Sequence, residues 1–361
     1  MKNQFIHLHL HTEYSIEDGL VRISDLIKKL KALNMPAVAI TDLSNLFGLV
    51  KFYQAAVAAG IKPIIGSEVL LENAKDLQKP FRLMLLCQNQ MGYKNLIQLI
   101  SKAYTQGQES GKPVVKYEWL VDHADGLIVL SGGLSGDIAD AILSDKPRLA
   151  KERVEYYRKT FPNRFYIELT RTGKLQEESY IHAALVLANH CQVPVVATND
   201  VRFLERDDFE AHEARFCVHG GWLLTDKQRP RPYVDQQYLR SAEEMVELFE
   251  DIPEAIANSF NIAKRCNVML RLGENFLPRF PVPEKNLSIE VYLEKLSREG
   301  LEDRLAILYD VKSDNFLTIR KPYDERMNYE LKVINQMGFA GYFLIVADFI
   351  RWSKENGVPV G

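Results

Sequence analysis

The chain is poor in cysteine: Cys87, Cys191, Cys217 and Cys266 lie far apart in 361 residues, with no CxxC pair. That excludes a zinc ribbon or a disulfide framework and fits a reducing compartment. Long apolar runs are also missing, since stretches such as 342–347 fall far short of the roughly 18 residues that a membrane span needs. Residues 1–11 carry one lysine and three histidines where a secretory signal requires an unbroken apolar core. Charge of one sign is scarce, with 45 Lys and Arg against 48 Asp and Glu and a formal net charge of -3. Composition alone therefore names neither a nucleic-acid nor a membrane partner. These absences predict a soluble, cytoplasmic chain. What is present, 47% hydrophobic and 26% charged residues, is ordinary for globular proteins, and at roughly 150 residues per domain the length predicts two domains.

Up to about residue 220, short β-branched apolar runs alternate with stretches of helical spacing. The runs are 5–11, 37–41, 63–70, 81–87, 126–131, 165–169 and 193–198. Between them, Leu20, Ile23, Leu26, Ile27, Leu30 and Leu33 fall at three- and four-residue steps, and further helices are expected at 45–59, 92–104, 148–161, 177–190 and 207–218. Alternation of this kind predicts parallel strands joined by right-handed crossovers. Seven units are enough to close a (β/α) barrel, and His9, His11, Asp42, Glu68, Ser131, Arg171 and Asp200 all fall at or just past strand ends, the face where barrels build their sites. The first strand is not followed by GxGxxG, which weakens an open dinucleotide-binding sheet.

Beyond residue 220 the rhythm stops. The stretch 226–240 carries Lys227, Arg229, Arg231 and Arg240 with Tyr233 and Tyr238 interleaved. It reads either as a strip that meets a nucleic-acid backbone or as a solvated loop. A helical segment at 242–266 precedes a connection containing Pro278, Pro281 and Pro283, and helices are expected at 289–308, 322–338 and 342–354. The domain boundaries expected are 1–270, a linker at 271–285, and an incomplete second domain at 286–361. The Pro359-Val360-Gly361 ending directly after a helix reads as a cut inside that domain.

The segment His7-Leu8-His9-Leu10-His11 places three imidazoles on one face of a strand, an arrangement suited to metal binding through neutral ring nitrogens. Asp18, Glu68 and Asp200 are the available acids. Where further ligands are expected, at other strand ends, the chain has Leu43, Arg82, Gly133, Arg171 and Arg202, none of which normally binds a divalent cation.

Several motifs then point to one family. The segments 9–15 (HLHTEYS), Asp18-Gly19, 41–46 (TDLSNL), 60–68 (GIKPIIGSE) and 197–200 (ATND) resemble the polymerase and histidinol phosphatase (PHP) domain. They look most like that domain at the start of bacterial replicative DNA polymerase III alpha subunits. The stretch from Glu330 to Gly361, with 333–339 (VINQMGF) and 341–346 (GYFLIV), is similar to the entry of the polymerase palm in that family. The resemblance implies an α/β fold: a distorted PHP-type (β/α)7 barrel followed by an α-rich beginning of a palm domain.

It also implies a split site. His9, His11, Asp18, Glu68 and Asp200 match family ligand positions. Leu43, Arg82, Arg171 and Arg202 stand where metal-binding members have histidine, and Gly133 where they have cysteine or histidine. No metal or other cofactor is therefore expected here. Arg82, Arg171 or Arg202 is expected to replace the lost metal charge by pairing with Glu68, Asp18 or Asp200. The resemblance further implies DNA-directed DNA synthesis in chromosome replication by the full-length protein, with Mg2+ and catalytic aspartates beyond Gly361. The implied partners are the proofreading exonuclease subunit docking on this region, other replicase subunits, the sliding clamp and DNA, with no membrane. The alternative is an autonomous metal-dependent PHP phosphoesterase or 3′-5′ exonuclease.

Overall fold

The computed structural model describes residues 5–109, 111–274, 277–284 and 286–361. Residues 1–4, and residues 275, 276 and 285 of the expected linker, lie outside them. Contacts divide the chain into two units, Met1–Leu270 and Arg271–Gly361.

The strands of the first unit are β1 (Ala37–Ile40), β2 (Lys62–Leu71), β3 (Phe81–Cys87), β4 (Gln108–Glu109), β5 (Lys112–Val115), β6 (Leu127–Leu130), β7 (Phe165–Thr170) and β8 (Val195–Thr198). Their helices are α1 (Ile23–Ala32), α2 (Leu49–Ala58), α3 (Gln90–Gln106), α4 (Tyr117–Asp122), α5 (Asp137–Leu143), α6 (Pro147–Thr160), α7 (Glu177–Cys191), α8 (Phe209–Gly220), α9 (Ala242–Leu248) and α10 (Pro253–Arg265). The sheet runs β4-β5-β2-β3-β6-β7-β8, with β1 on β2. It curls until its two sides meet across the segment 7–12. The N–H of His11 donates to Val201 and that of Val201 to His9, while the N–H groups of Ala39 and Thr41 donate to His7 and Leu10. This segment, expected as a regular strand, serves instead as a hydrogen-bonded seam between β1 and the end of β8.

The parallel expectation fails at β3, which is antiparallel to both β2 and β6. Only residues 72–80 join β2 to β3, too few for the dozen or so residues of a parallel crossover. The short hairpin β4/β5 had no periodic signal because it spans two and four residues. The single helix expected at 242–266 is two, broken where Ile252 precedes Pro253; a residue before proline is pushed out of the helical region.

The strand sides carry a continuous apolar core, including Leu83, Leu85, Val129, Ile167 and Ala197, all buried. Inside the curl Leu8, Met84, Leu86, Ile128 and Val196 form a second cluster. Burial of such side chains, about 1.5–3 kcal/mol each, holds the polar strand ends in place.

The second unit contains α11 (Ile289–Leu308), α12 (Phe316–Gln336) and α13 (Ala340–Glu355), packed around Tyr292, Leu293, Leu331, Ala340 and Leu344. Helix α12 starts at Phe316, so Pro322 lies inside it and not at its first turn. Among the described residues no single helix is long and apolar enough to cross a membrane.

Candidate functional site

The seam delivers the site's first ligands. Because side chains alternate along an extended segment, His9 and His11 stand side by side with ring centroids 5.4 Å apart. His7 does not join them: its Nε2 lies 2.9 Å from the carbonyl of Arg240. Burial, only partly offset by that carbonyl, lowers its pKa to about 4. The expectation of three clustered imidazoles is thus corrected to two.

The turn after His11 is clamped by Asp42, which accepts from the Thr12 N–H (2.6 Å), the Thr12 hydroxyl (2.8 Å) and the Ser15 hydroxyl (2.6 Å). That clamp sets Asp18 beside His11, with His11 Nδ1 3.4 Å from Asp18 Oδ1. Glu68, near the end of β2, lies 3.5 Å from His9 Nε2 and 3.3 Å from His11 Nε2. Asp200, just past β8, lies 3.2 Å from His9 Nε2. The five matched positions therefore meet at one end of the barrel.

Two arginines meet there with them. Arg202, 2% exposed, reaches Asp18 at 2.7 Å, Asp200 at 2.6 Å and Glu68 at 3.8 Å. Arg82 donates to Glu68 at 2.5 Å and stands 3.7 Å from Asp18. Burial by itself would raise the Asp18 pKa, but Arg202, His11 and Arg82 hold it well below the usual carboxylate range. Glu68 is likewise held low against its burial, chiefly by Arg82, and Asp200 is lowered to about 2 against its burial, chiefly by Arg202 and His9. His9 moves the other way. Burial opposes its charge, but Asp200 and Glu168 outweigh it and raise the ring to about 10.

Arg171 does not belong to this cluster. It pairs with Glu178 and Asp251 on the flank of the barrel and donates to the carbonyl of Leu248; its expected pairing with the strand-end acids is corrected. The reason is direction, because the residue after β7 turns outward toward α7 and α9. Leu43 bridges Glu68 through its backbone. Gly133, at φ 53°, lines the remaining cavity of about 30 Å³, with His9, Glu168, Lys174 and Asp200 among its neighbours.

Three participants were not picked out from sequence. Glu168 accepts from the Thr198 hydroxyl at 2.6 Å and faces His9 Nδ1 at 2.8 Å. A signal existed, since it is the one charged residue of β7 (FYIELT), all of whose positions are buried. Tyr233 donates its hydroxyl to Asp18 Oδ2 at 2.6 Å under the Arg202 guanidinium, and Gln237 donates to Asp200 Oδ2 at 2.7 Å. Both come from the stretch 226–240. That stretch is mixed: Tyr233 and Gln237 are buried at the site and Arg229 is buried against Glu213, while Lys227, Gln228, Pro230, Arg231 and Pro232 are exposed.

The fit to metal can be judged on the donors. His9, His11 and Glu68 each offer an atom within 4.8 Å of the others, so this triad is compatible with one cation, which would have to displace the proton that Asp200 and Glu168 hold on His9. A multinuclear cluster does not fit. Leu43 and Gly133 offer no side-chain donor, and two guanidinium cations occupy the carboxylate edges that would bridge ions.

The eight-stranded sheet curls with imidazoles and acids gathered at one end, and the family model described as "PHP domain" matches residues 7–172. A second model, described as "Bacterial DNA polymerase III alpha NTPase domain", matches residues 291–361. The chain is 52% identical over 358 residues to the DNA polymerase III subunit alpha of Escherichia coli K12, covering 99% of this chain and 31% of that protein. It is 48% identical to that of Pseudomonas aeruginosa over 361 residues, again covering 31% of the relative. Over nearly its whole length the chain is similar to the N-terminal region of DNA polymerase III alpha subunits. It spans about a third of the length of these relatives. Among solved structures, an amidohydrolase from Chromobacterium violaceum matches at 13% identity and TM-score 0.38, over 58% of this chain and 96% of that one.

Proposed function

We propose that this chain is the N-terminal part of a replicative DNA polymerase catalytic subunit. Its PHP barrel acts as scaffold and docking platform for the proofreading exonuclease subunit and performs no hydrolysis of its own. The observation that carries this reading is the pair Arg82 and Arg202, bound to Asp18, Glu68 and Asp200. The guanidinium cations on this reading neutralise the acids in place of metal ions, and the ion pairs tie the seam, β2, β3 and the end of β8 together. On this reading residues 1–270 form the PHP domain, 271–285 a linker and 286–361 the beginning of the palm. Nucleotide addition with Mg2+ is carried by residues outside this chain. DNA, the sliding clamp and the other replicase subunits are met through the full-length protein, in the cytoplasm.

The test combines metal content with hydrolysis. After dialysis against metal-free buffer, the protein is expected to hold far less than one equivalent of zinc or manganese. It is also expected to show no sustained turnover of a phosphomonoester or a 3′-ended oligonucleotide with added Mn2+. Stoichiometric retained metal, or turnover abolished by His9→Asn and His11→Asn, would overturn the scaffold reading in favour of an autonomous metal-dependent PHP phosphoesterase or exonuclease.

A further inference from the structure

The residues that follow α8 hold a tryptophan in a fixed place on the surface. The helix ends at Gly221 with φ 70°, a left-handed cap that glycine takes without strain, and the Trp222 N–H returns to the carbonyl of Cys217 at 2.9 Å. The indole packs against Gly220, where a Cβ would come 2.6 Å from Trp222 Cδ1. The five-membered ring is therefore seated on backbone, yet the side chain is 39% exposed. Leu223 and Leu224 continue the apolar surface at 73% and 43% exposure.

The following loop folds back on the same helix end. Arg229 is buried against Glu213 of α8 and donates to the carbonyl of Leu224. Lys227 and Arg231 stand two residues to either side of that anchor, at most about 7 Å of chain away, and both are exposed. Arg215, two turns before Trp222, gives its guanidinium to the carbonyls of Ile16 and Glu13. Among the described residues none of these three cations is in an ion pair. The one acid of 218–232, Asp226, accepts from the Gln228 N–H at 2.8 Å, and His219 faces Glu17 at 3.6 Å.

A seated aromatic ring beside uncompensated cations is the means by which proteins hold a single strand: a base stacks on the ring and neighbouring phosphates meet the cations. A duplex does not offer this contact, because its base faces are covered by the next pair. We infer that Trp222, with Lys227, Arg231 and Arg215, is a contact for single-stranded DNA. The choice of DNA rests on the polymerase reading above, and the inference adds a contact made by this chain itself through residues that the acid cluster does not use. The metal and hydrolysis test decides the scaffold reading without involving this loop, so the two fail separately.

The experiment titrates this 361-residue chain into a short, fluorescently labelled oligothymidylate over a range of salt and follows anisotropy, with thermal melts to establish that each variant is folded. Trp222→Ala is expected to weaken binding about fivefold or more, the loss of one stacked base, and Trp222→Phe to keep most of the affinity. Replacing Lys227 and Arg231 together, as Lys227→Ala with Arg231→Ala, is expected to lower the slope of log affinity against log salt by about 0.7 for each cation. Val186→Ala and Lys79→Ala, at exposed positions elsewhere, are expected to leave affinity and slope unchanged. Wild-type affinity and slope in both Trp222→Ala and the double variant would overturn the proposal and leave the patch as a surface for protein. Absence of binding by the wild-type chain would overturn it as well, and tighter binding of the matching oligouridylate would overturn DNA as the occupant.

Discussion

Replacing Arg202 by methionine is the sharpest perturbation of this molecule. The guanidinium is 2% exposed and holds Asp18 at 2.7 Å and Asp200 at 2.6 Å, with Tyr233 packed beneath it. Methionine fills much of the volume but strips Asp18 and Asp200 of their nearest cation, leaving Arg82 on Glu68 and the more distant Lys174 3.6 Å from Asp200. Removing one partner of a buried ion pair typically costs about 3–5 kcal/mol. At roughly 2 °C per kcal/mol for a large domain, the melting temperature of the first unit should fall by about 6–10 °C.

The pH dependence gives an independent readout. Asp200 is depressed to about 2 in the folded chain against about 3.9 unfolded. Its contribution is therefore present above pH 4 and lost as pH falls through 2, worth roughly 2–3 kcal/mol. Without Arg202, burial raises both carboxyls, so the variant regains stability as they take up protons. The gap between wild type and variant should narrow as pH is lowered from 7 to 4. Thermal and urea denaturation across that range measure both quantities. A cost below about 1 kcal/mol, or a gap that stays constant with pH, would refute the buried-cluster argument.

Arg171→Ala should cost about 1 kcal/mol or less in the same melts, since its partners Glu178 and Asp251 are exposed; a loss comparable to that of Arg202→Met would show that Arg171 supports the barrel end after all. Gly92→Ala should destabilise by roughly 1–3 kcal/mol, because a Cβ there would lie 1.8 Å from the carbonyl oxygen of Gly126, and a neutral result in urea unfolding would contradict that packing. His7 is buried with its pKa lowered to about 4, so the folded chain binds fewer protons than the unfolded one between pH 6.5 and 4. Stability should be full above 6.5 and fall by about 3 kcal/mol toward pH 4. His7→Phe should lack that component, and identical pH profiles for the two proteins would argue against it.

Much of the barrel was legible because periodicity is a local property. The stripe of Ile23, Leu26, Ile27 and Leu30 predicts α1 and all four are buried, and the apolar runs at 63–70, 81–87 and 165–169 lie within β2, β3 and β7. The spacing of His9 and His11, and the placing of Glu68 and Asp200 at strand ends, likewise marked the end of the barrel where polar groups gather. Strand direction was less legible, because β3 reads the same in either sense and only the short 72–80 connection turns it antiparallel.

The sequence by itself determined the βα rhythm, a histidine run with acids at strand ends, and the absence of donors at positions 43 and 133. Only the tertiary structure decided which arginine answers those acids. Arg171 and Arg202 both follow a strand, yet the turn after β8 is tied back through the Arg202 N–H to Gln237 and sends its guanidinium inward, while the turn after β7 sends Arg171 to Asp251 on the flank. Tyr233 is 215 residues from Asp18 in sequence, a separation no local pattern can bridge. A side chain's direction depends on the backbone at one residue, and its partner on where the whole chain returns. Both are settled only when the barrel closes.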